Sequence, residues 1–274
     1  MNGAAKPIRL DWREPAVWRT SHHSDGPSRS RPRAVTTALV AASPCQSCTV
    51  RDANLCGAVL GRSTGPLQAT WVAQDYATAP ARQTIYFCGE PSDDVVVICK
   101  GWAISFAQLA DGRRQILAVL LPGDLFSVTS LFEPSLQFSV QTLTEVAYCR
   151  YNRGDLNAKL ATEADLQEAA ARLTISERRE TDALLIDLGR RTAEQRIARL
   201  VLRLIDRLEA RGVNCSHGFG FPLRQQHIAD ITGLTPVHVN RTLGAFRRDG
   251  VMAISGGILR LRDAAQLRRI AGAH

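Results

Sequence analysis

The sequence predicts an α+β protein: a strand-rich first half, a long helix, and a C-terminal winged helix-turn-helix. Three observations predict it. Short apolar runs between turn signals fill Ala69 to Tyr151. Good helix formers, without proline or glycine, run from about Thr162 to Leu188. The segment Leu223–Gly250, LRQQHIADITGLTPVHVNRTLGAFRRDG, reads as two short helices about a glycine turn, and the apolar hairpin VMAISGGILRLR follows it.

The apolar runs include TIYFC, DVVVICKGWAISFAQL, RQILAVLL and VAYCRY, and the turns between them GEPSDD, ADGRR and LPGD. Short strands at this spacing imply a β-sandwich or β-roll. Asp111-Gly112 favours a hairpin between two of them. The long helix is expected to end at Gly189. A second helix should then start at Thr192, with Gln195 three residues on completing a capping box. Its apolar positions Ile197, Leu200, Leu204 and Leu208 lie on one face, and Gly212 ends it.

In the helix-turn-helix, Ile228, Ala229 and Ile231 give the first helix, and Gly233 supplies a left-handed turn residue. Thr235 caps the second helix, with Pro236 at its first position, where a missing N–H costs nothing. Val239, Leu243 and Phe246 face the core. Val237, His238, Asn240 and Arg241 face outward near the helix start, the end that meets base edges in a recognition helix. Arg247 and Arg248 lie further along, within reach of phosphate. Two strands around Gly256-Gly257 make the wing.

The charge agrees with a nucleic-acid partner. The chain of 274 residues carries 34 basic and 26 acidic residues, a net charge of +8, and of the basic residues only Lys6, Lys100 and Lys159 are lysines. Guanidinium pairs bidentately with phosphate oxygens. From Phe219 to His274 eight arginines face three aspartates. Hydrophobic residues make up 45%, enough for a packed core, yet no run approaches the roughly 18–20 apolar residues of a membrane helix. A cytoplasmic protein without membrane contact is expected. Residues 1–40, with the stretch SHHSDGPSRSRPR, read as a disordered basic tail. No glycine-rich phosphate loop and no supported Ser/His/Asp set is present, so an enzyme is not expected.

Seven cysteines in a cytoplasmic protein point to metal, cluster or reactive thiol rather than disulfides. Cys45, Cys48 and Cys56 form C-x2-C-x7-C, a thiolate density that suits zinc or an iron–sulfur cluster. A fourth ligand would come from Cys88, Cys99, Cys149 or Cys215. A thiol switch is the remaining option.

At these residues the chain resembles the Crp/Fnr superfamily. DGRRQILAVLLPGDLFS looks like that family's β-roll stretch, GRRTAEQRIARLVLRL like the junction after its dimerisation helix, and LTPVHVNRTLGAFRRDGVMAI like its recognition helix and wing. The resemblance implies a basic tail at 1–40, a cysteine-cluster segment at 41–62 and a cyclic-nucleotide-binding-like sensor β-roll at 63–160. A dimerisation helix at 161–190 and a winged helix-turn-helix DNA-binding domain at 191–274 complete it. It implies a homodimer on a near-palindromic double-stranded DNA operator, working with RNA polymerase.

The cysteine spacing resembles the rhizobial and phototroph branch of Fnr-type regulators, which implies oxygen or redox sensing through a [4Fe–4S] cluster. In that resemblance SVQTLTEVAYCRY is the strand of the fourth ligand, so Cys149 joins Cys45, Cys48 and Cys56; zinc, or no metal, is the alternative. Cys88 and Cys99 are expected to be ordinary buried cysteines and Cys215 incidental. Relatives that bind cyclic AMP carry a Gly-Glu and an Arg-Ser pair where this chain has Ser127-Val128 and Phe138-Ser139, so no cyclic AMP is expected. Fnr-type recognition helices carry E-x-x-S-R where this chain has Val237, Asn240 and Arg241. Arg241 can pair bidentately with guanine, whereas Val237 offers only contact with a thymine methyl.

Overall fold

The computed structural model describes residues 50, 54–60 and 74–272, so the expected tail and two expected ligands, Cys45 and Cys48, lie outside the described residues. A short helix α1 (Asn54–Leu60) precedes strands β1 (Gln74–Ala79), β2 (Thr84–Tyr86), β3 (Asp94–Lys100), β4 (Ala103–Gln108), β5 (Arg114–Leu120), β6 (Ser139–Thr142) and β7 (Val146–Asn152). These strands pair antiparallel in two sheets, ordered β1-β7-β3 and β2-β6-β4-β5, as the strand spacing predicts for a roll. The long run DVVVICKGWAISFAQL divides into β3 and β4 at Gly101. Its φ is +86°, and a Cβ there would lie 2.1 Å from the Glu145 carbonyl oxygen, so the turn admits only glycine.

β3 is apolar without alternation because both its faces are covered. Val96 and Ile98 pack between the sheets with Ala103, Val140 and Val146. Val95 and Val97 pack on the opposite face with Cys149, Tyr151 and residues of the helices. That second face, rather than the interior of the roll, holds the thiols described below.

After β7 the chain forms α2 (Arg153–Leu160), a helix that the periodicity does not predict. The Asn152 side chain starts it by accepting the Asp155 N–H at 3.1 Å. The long helix α3 spans Ala164–Arg190. The helix ends one residue past the expected Gly189, at Arg190, where Arg191 becomes extended and Thr192 caps the next. Leu166, Ala169 and Ala170 of α3 are buried, whereas Ile175, Leu185 and Ile186 are exposed.

α4 (Ala193–Glu209) carries the predicted capping box and buries Ile197, Leu200, Leu204 and Leu208. Then come β8 (Phe219–Gly220), α5 (Gln225–Thr232), α6 (Pro236–Arg248), β9 (Met252–Ser255), β10 (Ile258–Leu261) and α7 (Ala264–Ala271). Strands order β8-β10-β9, so the wing hairpin gains a third strand. α7 was not expected; its Leu267 and Ala271 close the core that α4 begins.

One hydrophobic cluster runs from the roll into the C-terminal domain, joining Phe106, Ile116 and Leu121 to Leu204, Ile228 and Phe246. Charged ties follow the same path. Arg114 meets Asp230 at 2.5 Å. Arg207 and Arg211 each reach Asp124, in the Pro122-Gly123-Asp124 turn, at 2.5 Å. At the joint between α3 and α4, Asp187 is buried and takes Arg191 at 3.0 Å, Arg199 at 2.9 Å, and Arg203.

Candidate nucleic-acid interface and thiol pocket

The sharp bend between α5 and α6 is set by Gly233, whose φ of +63° ends α5 and whose missing Cβ spares the Leu188 side chain a 2.9 Å contact. Thr235 then caps α6: its Oγ1 accepts the His238 N–H at 3.3 Å, and Pro236 occupies the first turn. Val239 and Phe246 are buried and Leu243 is partly buried, as the spacing predicts. Thr242, also buried, completes that stripe.

The opposite face carries Val237, 76% exposed, with His238, Asn240, Arg241, Arg247 and Arg248, all exposed. A row of exposed polar and basic side chains is therefore assembled from one short stretch, because residues three and four apart share a helix face. Gln225 was not expected in the site. Its Nε2 donates to Asn240 Oδ1 at 3.2 Å, fixing the amide and leaving its NH2 turned outward. Arg260 on β10 and Arg262 just beyond it are exposed and add positive charge to the wing.

The thiols meet on the outer face of the β1-β7-β3 sheet. Cys149, on β7, is fully buried; Cys56, on α1, is nearly so; both belong to the cluster of Val97, Tyr151, Leu166 and Leu55. Their thiols are in hydrogen-bonding contact, and Tyr151 Oη donates to Cys56 Sγ at 3.5 Å. Contact with Cys149 and burial hold the Cys56 thiol well above its usual range, against the Tyr151 hydroxyl, which pulls it down. The Cys149 thiol is pushed up to about 12: the Cys56 contact lowers it, but contact with Cys99 and burial outweigh that.

Cys99 corrects one expectation. It is partly buried and faces the pocket, because β3 shifts register between Ile98 and Lys100 and leaves Cys99 beside Cys149; its thiol also donates to the Val97 carbonyl at 3.8 Å. Cys88 corrects another: it is exposed, since β2 ends at Tyr86 and the chain turns at Gly89. Cys215 is buried in the C-terminal core, away from the pocket. Among the described residues no group of three or more His, Cys, Asp or Glu is arranged to hold a metal ion.

Residues 195–270 match the family described as Crp-like helix-turn-helix domain, and residues 77–163 the one described as cyclic nucleotide-binding domain. The chain is 30% identical over 217 residues to the nitrogen fixation regulation protein FixK of Azorhizobium caulinodans, covering 78% of this chain and 86% of that one. This chain belongs to the Crp/Fnr family. It is a DNA-binding transcription regulator with the family's roll and C-terminal helix-turn-helix. The transcriptional activator protein FnrL of Cereibacter sphaeroides is 27% identical over 215 residues, 77% of this chain and 85% of that one. The solved structure of FixK2 from Bradyrhizobium japonicum is 26% identical, covers 72% of this chain and 97% of that chain, and superposes with a TM-score of 0.66.

In this Crp/Fnr regulator a cleft of about 390 Å³ opens between the roll and α3. Ser127 stands at its wall and caps a single 3-10 turn, Val128–Leu131. Across the cleft comes Glu177 of α3. Its Oε1 accepts the Val128 N–H at 2.6 Å and its Oε2 accepts the Ser127 hydroxyl at 3.1 Å. Burial raises the Glu177 carboxyl above its ordinary range; those two hydrogen bonds oppose the rise, and Glu180 and Asp124 add to it. Phe138 lines the same cleft. The sequence showed which residues were missing at the Gly-Glu and Arg-Ser positions, but not that a carboxylate from α3 would take up the turn's free amide.

Proposed function

We propose that this Crp/Fnr regulator senses oxygen or redox state through a [4Fe–4S] cluster held by Cys45, Cys48, Cys56 and Cys149, and reads a near-palindromic operator as a homodimer. The observation that carries the reading is the meeting of Cys56 and Cys149, distant in sequence, in one buried pocket. Two soft sulfur donors on separate elements, meeting in an apolar cluster, fit a thiolate-bound centre. When bound, such a cluster supplies an oxidisable group that oxygen, nitric oxide or redox stress can destroy.

The chain's own residues supply the relay. Cys56 lies on α1, next to fully buried Leu55, which packs in one cluster with Leu166 and Ala170 of α3. The same α3 leaves Ile175, Leu185 and Ile186 exposed, an apolar seam for a second copy. Whatever holds Cys56 to Cys149 therefore holds α1 against the helix that pairs. If the loaded form favours the dimer, operator affinity rises by linkage. Two copies of α6 related by a two-fold axis would enter successive major grooves. There Arg241 reads guanine, Asn240 adenine or phosphate, Val237 a thymine methyl and His238 a base edge or phosphate, with Thr235, Arg247 and Arg248 on the backbone. Glu177 at the Val128 amide supports a roll that takes no cyclic AMP. Family membership supports work with RNA polymerase in the cytoplasm; among the described residues no helix is long and apolar enough to cross a membrane.

The test is purification without air, with visible spectrum, iron and sulfide analysis before and after air is admitted. Absorbance in the region of thiolate-bound clusters, about four irons per chain and bleaching in air are expected, with all three lost in Cys149→Ser. A colourless zinc protein moves the sensor to a structural site or thiol switch and leaves DNA reading intact. Identical dimers with and without iron on size exclusion remove the linkage.

A further inference from the structure

Tyr151 is among the largest fully buried side chains of the molecule. A buried phenol carries a hydroxyl that must be accommodated at a cost unless it finds partners. Tyr151 lies two residues after Cys149 on β7, so strand alternation puts both on the sheet face where α1 packs. Its hydroxyl donates to Cys56 Sγ at 3.5 Å. Phenylalanine would fill the same volume, so the hydroxyl is what distinguishes this position.

We propose that Tyr151 is a positioning residue of the thiol site: its hydroxyl donates to the sulfur of Cys56 and holds that sulfur as an oriented thiolate when a metal centre binds. The inference rests on the reading of Cys56 and Cys149 as ligands. A hydrogen bond to a charged acceptor is roughly twice as strong as one between neutral groups. Tyr151 therefore favours the loaded, thiolate state over the empty, thiol state. Partners of this kind fix ligand orientation, and their loss weakens metal binding by roughly 10–100-fold. Neither the C-x2-C-x7-C spacing nor the choice of Cys149 points to Tyr151; strand alternation and the packing of α1 do.

Cobalt(II) alone serves as the probe, because its sulfur-to-metal charge-transfer absorption reports thiolate ligation whatever metal the protein carries in the cell. The full chain, Tyr151→Phe and Cys149→Ser are titrated without air, under reducing conditions, against a competing chelator. Tyr151→Phe should bind cobalt about tenfold more weakly, with its charge-transfer band moved to lower energy, because an undonated thiolate is easier to oxidise. Unchanged affinity, or weaker binding with an unmoved band, overturns the hydroxyl's role while leaving the ligand set in place. Absence of thiolate absorption in the unmodified chain, or a Cys149→Ser variant that binds as well as it does, overturns the ligand set and this inference with it.

Discussion

The recognition helix and the thiol pocket are built in opposite ways. The candidate DNA-facing side chains lie between Thr235 and Arg248 and are exposed, so capping, helix period and polarity set that surface, with Gln225 of α5 adding one contact to Asn240. The pocket draws Cys56 from α1, Cys99 from β3, Cys149 and Tyr151 from β7 and Leu166 from α3, and all but Cys99 are buried. A reading surface can change without disturbing stability; a pocket of this kind cannot, because its residues also hold the roll to the long helix. The roll meets the C-terminal domain through the α3–α4 joint and directly through β5 and α5, where Arg114 pairs with Asp230.

The largest effect is expected at Asp187. Asp187→Asn removes the charge that three partly buried arginines share, and breaking a buried pair costs about 3–5 kcal/mol; their partial exposure places the loss toward the lower figure. Denaturant unfolding should show it. A loss under about 1 kcal/mol would mean that the α3–α4 joint is held by apolar packing alone. Next comes Arg241→Ala, which should weaken specific operator binding by about 1–3 kcal/mol per half-site with an unchanged melting temperature, read by fluorescence anisotropy. Retained affinity would sink the assignment of α6 as the reader. Thr235→Ala tests the same helix from the other side: losing its cap should cost about 1 kcal/mol of stability, measurable by thermal melting.

The smallest effect concerns Glu177. Its carboxyl in the folded chain titrates above its unfolded value, so the native state holds the proton more tightly. Its contribution to stability is greatest below the unfolded value and is lost as pH rises through the raised one. Glu177→Gln keeps an acceptor for the Val128 amide without the buried charge. Its melting temperature should match that of the unmodified chain at acid pH and equal or slightly exceed it at neutral pH. A marked drop at neutral pH would show that the charge on Glu177 contributes more than its burial costs.

Much of this architecture was legible in the residue order. The roll, both long helices, the helix-turn-helix and the wing follow from period, caps and glycine turns, each a signal confined to a few neighbours. Helices α2 and α7 escaped, being eight residues each, too short for a period to declare itself against the flanking strands. The end expected at Gly189 falls one residue early, because the chain leaves the helix at an extended Arg191 rather than by a left-handed glycine.

The sequence by itself determined the reading face of α6, since a helix converts spacing directly into direction. It also placed a cysteine-rich segment before a strand-rich roll. Only the tertiary structure decided that Cys99 and Tyr151 stand with Cys56 and Cys149, that Cys88 does not, that Gln225 orients Asn240, and that Glu177 of α3 occupies the Val128 amide. Each of these depends on which sheet face a strand presents and what packs over it. That is settled by burial across elements far apart in the chain, for which no local period exists.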